Sequence, residues 1–96
     1  MQILAQVIGA DAQVISGACY FIGAQYTTTG CAADKAMIVY NENSASKTAA
    51  KKICTLCNSD EVQSDHLMLP LPGIKCEGIY VDWDTAGVGI IYYSLG

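Results

Sequence analysis

The chain has 96 residues, of which 52% are hydrophobic and 15% are charged, and its formal net charge at pH 7 is -4. That length fits one domain, residues 1–96, and the composition excludes a disordered chain. Five lysines, no arginine and an acidic balance argue against nucleic-acid binding, which needs a basic surface to displace counterions from phosphates.

The amino-terminal residues 1–16 are apolar, but no Lys or Arg precedes the apolar run. Gln2, Gln6 and Asp11 interrupt that run well short of a membrane-spanning length. We therefore expect neither a signal peptide nor a membrane span, and synthesis in a cytoplasm. In such a reducing compartment the five cysteines are expected to be free thiols.

Short runs rich in Val, Ile, Tyr and Thr are separated by clusters of Gly, Asn, Asp, Ser and Pro, a pattern typical of all-β sandwiches and barrels. We predict an antiparallel, jelly-roll-like β-sandwich of about seven or eight short strands. The predicted strands span residues 2–8, 13–25, 35–40, 51–57, 66–71, 74–83 and 88–95. Predicted loops lie at 27–34, 41–50 and 58–65, with a helical turn near 46–51.

The positions of glycine and proline, and the alternation of apolar residues, predict where these strands bend, which strand is central and where the chain turns. Strand 13–25 is long, so Gly17 or Gly23 is expected to mark a bulge or bend where the chain changes partner. Strand 35–40 is apolar on both faces and should therefore be central. Residues 70–73, Pro-Leu-Pro-Gly, predict a turn, and residues 84–87 predict a hairpin loop between the last two strands.

Cys54 and Cys57 have the C-x-x-C spacing that metal sites and redox sites share. In a strand, residues three apart point to opposite faces, so this pair should not bind one metal ion. A zinc site would also need ligands from Cys19, Cys31, Cys76 or His66, none of which forms a second close pair. We expect packing cysteines, although an oxidised pair among Cys19, Cys31 and Cys76 stays open.

His66 is the only imidazole, and any Ser-His-Asp arrangement must use it. Its neighbours Ser64 and Asp65 are adjacent in sequence and do not supply triad geometry. We interpret His66 as an exposed or edge residue.

Asp82 and Asp84 flank Trp83 and share a face if residues 74–83 form a strand. They could bind a cation or act as paired carboxylates, but aspartate is also favoured at hairpin mouths, and we favour that interpretation. Residues 87–89, Gly-Val-Gly, lack the third glycine and the following helix of a phosphate loop.

Six tyrosines suit half-buried sheet faces and protein interfaces alike. Residues 90–93, Ile-Ile-Tyr-Tyr, are apolar on both faces. This last strand should therefore be central or covered by another subunit.

Residues 15–94 resemble a family of small virion proteins of tailed bacteriophages. The resemblance rests on the pattern of turns and alternation at Gly17, 29–33, 37–41, 51–56, 72–74, 78–81 and 88–93. It implies a β-sandwich decoration or cement protein on the capsid surface of the virion, with no catalytic, cofactor-binding or metal-binding residues. The implied partners are the major capsid protein of the phage head and neighbouring copies of the chain, as a trimer or another symmetric oligomer.

Three alternatives stay open. A tail, fibre or adaptor component of the virion fits the same pattern. From other classes, a small metal or thiol protein would use Cys54 and Cys57, and a carbohydrate-binding β-sandwich would use Asp82, Trp83 and Asp84.

Overall fold

The fold is built from antiparallel strands. The computed structural model describes residues 2–27, 36–57, 64–84 and 87–96. Its strands are β1 Leu4–Ile8, β2 Ala12–Thr27, β3 Ala36–Tyr40, β4 Lys52–Cys57, β5 Ser64–Met68, β6 Ile74–Asp84 and β7 Val88–Ser94. A 3-10 turn at Ala49–Lys51 lies within the predicted helical turn. No helix in the described part of the chain is long and apolar enough to cross a bilayer.

All seven strands belong to one sheet, in the order β1-β7-β2-β6-β3-β4, with β5 paired to β2. The first part of β2 pairs with β6, and its last part pairs with β7 on one edge and β5 on the other. The sheet thus folds over into two layers that share β2. One layer contains β1, β7, the end of β2 and β5, and the other contains the start of β2, β6, β3 and β4. The predicted all-β, antiparallel, sandwich-like class is confirmed.

Irregularities in β2 make this bend possible. The register shifts between Gln13 and Ile15, between Ser16 and Cys19, and between Phe21 and Gly23. Gly17 lies within the second shift and has a φ of 133°, a conformation that side chains disfavour. Gly23 follows the third shift, where pairing passes from β6 to β5. The prediction of a bulge or partner change at Gly17 or Gly23 is confirmed at both.

The core lies between the two layers and takes side chains from nearly every strand. Its buried residues are Ile8, Cys19, Phe21, Ala24, Tyr26, Met37, Val39, Leu56, Cys76, Ile79, Val81 and Ile91. The ring of Tyr26 in one layer meets the ring of Trp83 in the other edge-on, with centroids 5.8 Å apart. Strand β3 lies between β4 and β6, which confirms its predicted central position.

The chain turns at residues 70–73 as predicted. The N–H of Gly73 donates to the carbonyl of Pro70 at 2.9 Å, and the Leu71–Pro72 peptide is cis. Gly73 has a φ of 86°, and a Cβ on it would overlap the carbonyl oxygen of Phe21. This turn therefore requires glycine for both its backbone conformation and its close packing.

The predicted hairpin between the last two strands is wrong. In the described residues β6 pairs with β2 and β3, whereas β7 pairs with β1 and β2. The connection at residues 84–87 therefore passes from one layer to the other, although Thr85 and Ala86 lie outside the described residues. Turn-forming residues predict where the chain reverses, but they do not predict which strands pair. Strand pairing depends on which faces of the strands are buried.

The loops predicted at residues 27–34 and 58–65 fall almost wholly outside the described residues and stay predictions. The polar loop at 41–50 is described, and it connects β3 to the turn before β4. Strand β5 begins and ends earlier than the predicted 66–71.

Candidate docking surface

The C-x-x-C pair, Cys54 and Cys57, lies in strand β4, as predicted. Cys54 is half-buried, and Leu56, two residues on and so on the same face, is buried. Burial, and then Asp65, raise the pKa of Cys54 to about 11, so its thiol is protonated at neutral pH. The side chain of Cys57 lies outside the described residues. Among the described residues, no group of three His, Cys, Asp or Glu side chains could hold a metal ion.

His66 lies on β5, opposite Gln25 of β2, and its side chain is exposed. Burial alternates along this strand, so Asp65 faces inward while Ser64 and His66 face outward. The Asp65 carboxylate accepts the backbone N–H of His66 at 2.9 Å, a bond to the main chain and not to the ring. Although the three residues are adjacent in sequence, Ser64 and His66 lie on one face of β5 and Asp65 lies on the other.

The structure separates Trp83 from the two aspartates beside it. The Trp83 ring packs against the core and meets Tyr26, whereas Asp82 lies on the opposite face of β6. The Asp82 carboxylate is 3.1 Å from the ammonium of Lys47, and this hydrogen bond raises the pKa of Lys47. Asp82 and Trp83 therefore do not share one surface, because the partly buried Trp83 ring packs against the core while Asp82 lies on the other face of the strand.

A long loop covers the outer side of β6, and we call residues 41–51 the covering loop. The amide of Gln13 donates to the carbonyls of Glu42 at 2.9 Å and Ile79 at 3.1 Å, which fastens the loop to β6. A Cβ on Gly78 would lie only 2.5 Å from the Glu42 carbonyl oxygen. The backbone of the loop thus rests directly on the strand.

The covering loop also neutralises its own charges. The Glu42 carboxylate, 7% exposed, is 3.1 Å from the ammonium of Lys51. A hydrogen bond from Ser46, then one from Lys51, lower the pKa of Glu42 below its usual value. Lys47 bridges to Asp82 and, at 4.0 Å, to Asp11. The two lysines of the covering loop are thus each paired with carboxylates on this side of the sandwich.

The outer face of the other layer is very different. Pairing register and burial place side chains from β1, β7, β2 and β5 on one continuous surface, which we call the neutral face. It consists of Ala5, Val7, Gly23, Gln25, Thr27, Ser64, His66, Met68, Val88, Ile90 and Tyr92. None of these residues is Lys, Arg, Asp or Glu.

Apolar side chains dominate the neutral face and are open to solvent. Val7 is 63% exposed, Met68 54% and Val88 46%. The hydroxyl of Tyr92 donates to the Gln25 side-chain oxygen at 3.4 Å. Both residues line a polar recess beside His66, and Asp65 lies at its inner margin. A contiguous, uncharged, apolar surface of this kind is typical of a site that contacts another molecule.

Alternation along β1 puts Ala5 and Val7 on one face, but alternation alone does not say which face meets the core. Ile8, on the opposite face of β1, is buried.

The tyrosines differ in their burial: Tyr26, Tyr40 and Tyr80 are buried, and Tyr92 lies half-buried on the neutral face.

Comparison of the chain with protein-family models, with curated proteins and with solved structures finds no match. Function therefore has to be inferred from the surface itself and from the pattern of the sequence.

Proposed function

We propose that this chain is a non-enzymatic structural protein of a tailed-phage virion, a decoration protein that binds the assembled head and stabilises it. The observation that carries the proposal is the neutral face, a solvent-exposed apolar sheet surface without a charged side chain. The resemblance of residues 15–94 to small phage virion proteins supports the same assignment.

The neutral face suits docking because little opposes its burial. Removing apolar surface from water contributes about 25 cal/mol per Å², and none of the residues that form this face is Lys, Arg, Asp or Glu. Val7 on β1 and Met68 on β5 are the most exposed apolar side chains of this face, and they lie on its two outer strands. The partner surface should itself be apolar and uncharged, since a charge placed against this face would lose its water without gaining a partner.

The size of the face favours a shell over a free dimer. Four strands about 4.8 Å apart, each contributing about five residues of 3.4 Å, give a footprint of roughly 300 Å². A stable complex buries about 800 Å² per partner, so this face alone would hold a second copy weakly. An assembled shell instead presents many equal sites, and each occupied site favours the assembled state by mass action.

The test uses phage particles that carry Val7→Glu, with Thr55→Glu as the matched control. Thr55 is an exposed residue of β4 and does not belong to the neutral face. We expect Thr55→Glu particles to retain the chain on the head, and Val7→Glu particles to lose it and to break at lower temperature.

Electron microscopy of wild-type particles separates this proposal from its nearest alternative. Density for the chain on the head shell supports decoration. Density in the tail, fibres or baseplate would overturn it in favour of a tail or adaptor component.

A further inference from the structure

Two of the buried cysteines face each other across neighbouring strands. Cys19 of β2 and Cys76 of β6 are direct partners in the antiparallel register. Both belong to the core and both are free thiols. Sequence spacing could not pair them, because 57 positions separate residues 19 and 76 and only the ladder between β2 and β6 brings them together.

We propose that Cys19 and Cys76 form a cross-strand disulfide when the folded protein meets a small-molecule disulfide. Directly opposed residues of an antiparallel pair have Cα atoms about 4.5–5.5 Å apart, and disulfides accept Cα separations of about 4.4–6.8 Å. The bond therefore needs no change of strand pairing. This site does not depend on the proposed function.

The other described cysteine is excluded by the order of the strands. Cys54 lies on β4, and β3 separates β4 from β6. Two strand spacings separate Cys54 from β6 by roughly 10 Å, and the register places Cys54 level with Val81, five residues along β6 from Cys76. This pair is therefore beyond disulfide reach.

Cys76 is the thiol that reacts first. It borders a surface groove together with the exposed residues Gly17 and Ala18, at the bulge of β2. Burial raises the pKa of Cys76, an effect that the backbone N–H of Phe21 partly offsets. Burial, and then the neighbouring Cys76, raise the pKa of Cys19 to about 11.

Oxidation proceeds by two exchange steps. The Cys76 thiolate attacks one sulfur of the small disulfide, which forms a mixed disulfide and releases one small thiol. The Cys19 thiolate then attacks the Cys76 sulfur, which forms the Cys19–Cys76 bond and releases the second small thiol. The two protons lost by the protein thiols are taken up by the two released thiols, and the small disulfide is the species reduced.

The experiment treats folded protein with 2-hydroxyethyl disulfide, blocks the remaining thiols and maps the linked peptides after trypsin cleavage. Cleavage after lysine leaves Cys19 with Cys31 in residues 1–35 and leaves Cys76 in residues 76–96. Cys31→Ala protein is therefore used beside the wild type, so that a link between these two peptides has one meaning. Cys54→Ala serves as the matched control.

We expect one bond between residues 1–35 and 76–96 in wild type, in Cys31→Ala and in Cys54→Ala. Its rate should rise about tenfold per pH unit from pH 7 to pH 9, because thiols with raised pKa values are still being deprotonated there. The oxidised monomer should melt roughly 10 °C higher than the reduced one, since the bond closes a long loop.

Three results would overturn the proposal: a different pairing in the wild type, a stable mixed disulfide at Cys76 that goes no further, or no loss of thiols from folded protein after prolonged treatment at pH 9. Each is read on protein without a substitution at Cys19 or Cys76, so a folding defect cannot imitate it.

Discussion

The two outer surfaces of this sandwich differ in whether the chain itself covers them. The side under the covering loop is closed by the chain itself, with Glu42 and Asp82 paired to lysines of that loop. No loop in the described residues covers the neutral face, and Val7, Met68 and Val88 are exposed to solvent. The difference indicates that the fold needs only one of its outer sides covered, and that the other side is available to a partner.

The distribution of charge follows the same division. The net charge of the chain is -4, yet none of the residues of the neutral face is Lys, Arg, Asp or Glu. On the covered side, by contrast, ion pairs fix the position of a polar loop. Ion pairs thus stabilise the fold on the covered side. On the neutral face, the lack of Lys, Arg, Asp and Glu side chains favours association with another molecule.

The largest expected difference compares adjacent residues of β7. Ile91 is fully buried in the core, while Ile90 points to the neutral face. We expect Ile91→Ala to lower the free energy of unfolding by about 3 kcal/mol, because it removes packed methyl groups and leaves a cavity. Ile90→Ala should cost less than about 1 kcal/mol. Urea unfolding of both variants measures this, and equal losses would contradict the assignment of inner and outer faces.

The contact between the covering loop and β6 is tested by Gly78→Ala. The new methyl group would meet the Glu42 carbonyl oxygen and the Asn43 Cα, which are backbone atoms that cannot rotate away. We expect a loss of about 2 kcal/mol in the free energy of unfolding. Gly9→Ala is the control, because a Cβ there meets nothing within 4 Å. A neutral result at Gly78 would mean that the loop does not rest on the strand.

Acidification should weaken the covered side. The pKa of Glu42 is lowered from 4.5 in the fold, so its contribution is present above the unfolded pKa and is lost as the pH falls through the folded pKa. We expect the free energy of unfolding to decline below about pH 4.5 in wild type and to decline less in Glu42→Gln, as followed by urea unfolding at several pH values.

Glu77→Gln provides the control for that series, because its carboxylate is 74% exposed. It should keep the wild-type dependence on pH. A Glu42→Gln profile parallel to wild type would show that Ser46 and Lys51 do not stabilise the Glu42 carboxylate.

The smallest effect is expected from Val7→Glu measured on the isolated protein. Val7 is 63% exposed and projects away from the core, so the free energy of unfolding should change by no more than about 0.5 kcal/mol. Thermal unfolding of Val7→Glu beside Thr55→Glu checks this. A large loss at Val7 alone would make that residue part of the folded core and not of a docking surface.

Local pattern was enough to predict much of the fold. Two-residue alternation located β3, β4 and β6 to within a residue or two, because side chains on both sides of these strands are apolar or sharply alternating. Proline and glycine located the turn at 70–73, and glycine located the bend in β2. These features depend on residues close together in the chain.

Features that depend on distant residues could not be predicted in this way. Phe21 and Tyr26 are five positions apart and both fully buried, which strict alternation forbids. The register shift between Phe21 and Gly23 changes the phase between them. The wrongly predicted hairpin and the unpredicted pairing of Cys19 with Cys76 have the same cause, because both depend on which distant strands lie side by side.

The docking surface was only partly foreseen. Alternation predicted that the last strand is either central or covered by another subunit. Which face of β7 turns outward depends on its pairing with β1 and β2, and those strands are far from β7 in sequence.

The sharing of β2 between the layers also affects how the molecule comes apart. Because this single strand is bonded to β5, β6 and β7, neither half of the sandwich has a complete set of backbone partners without it. Loss of β2 would release both halves together, so the domain has no natural point at which one half could melt and leave the other intact.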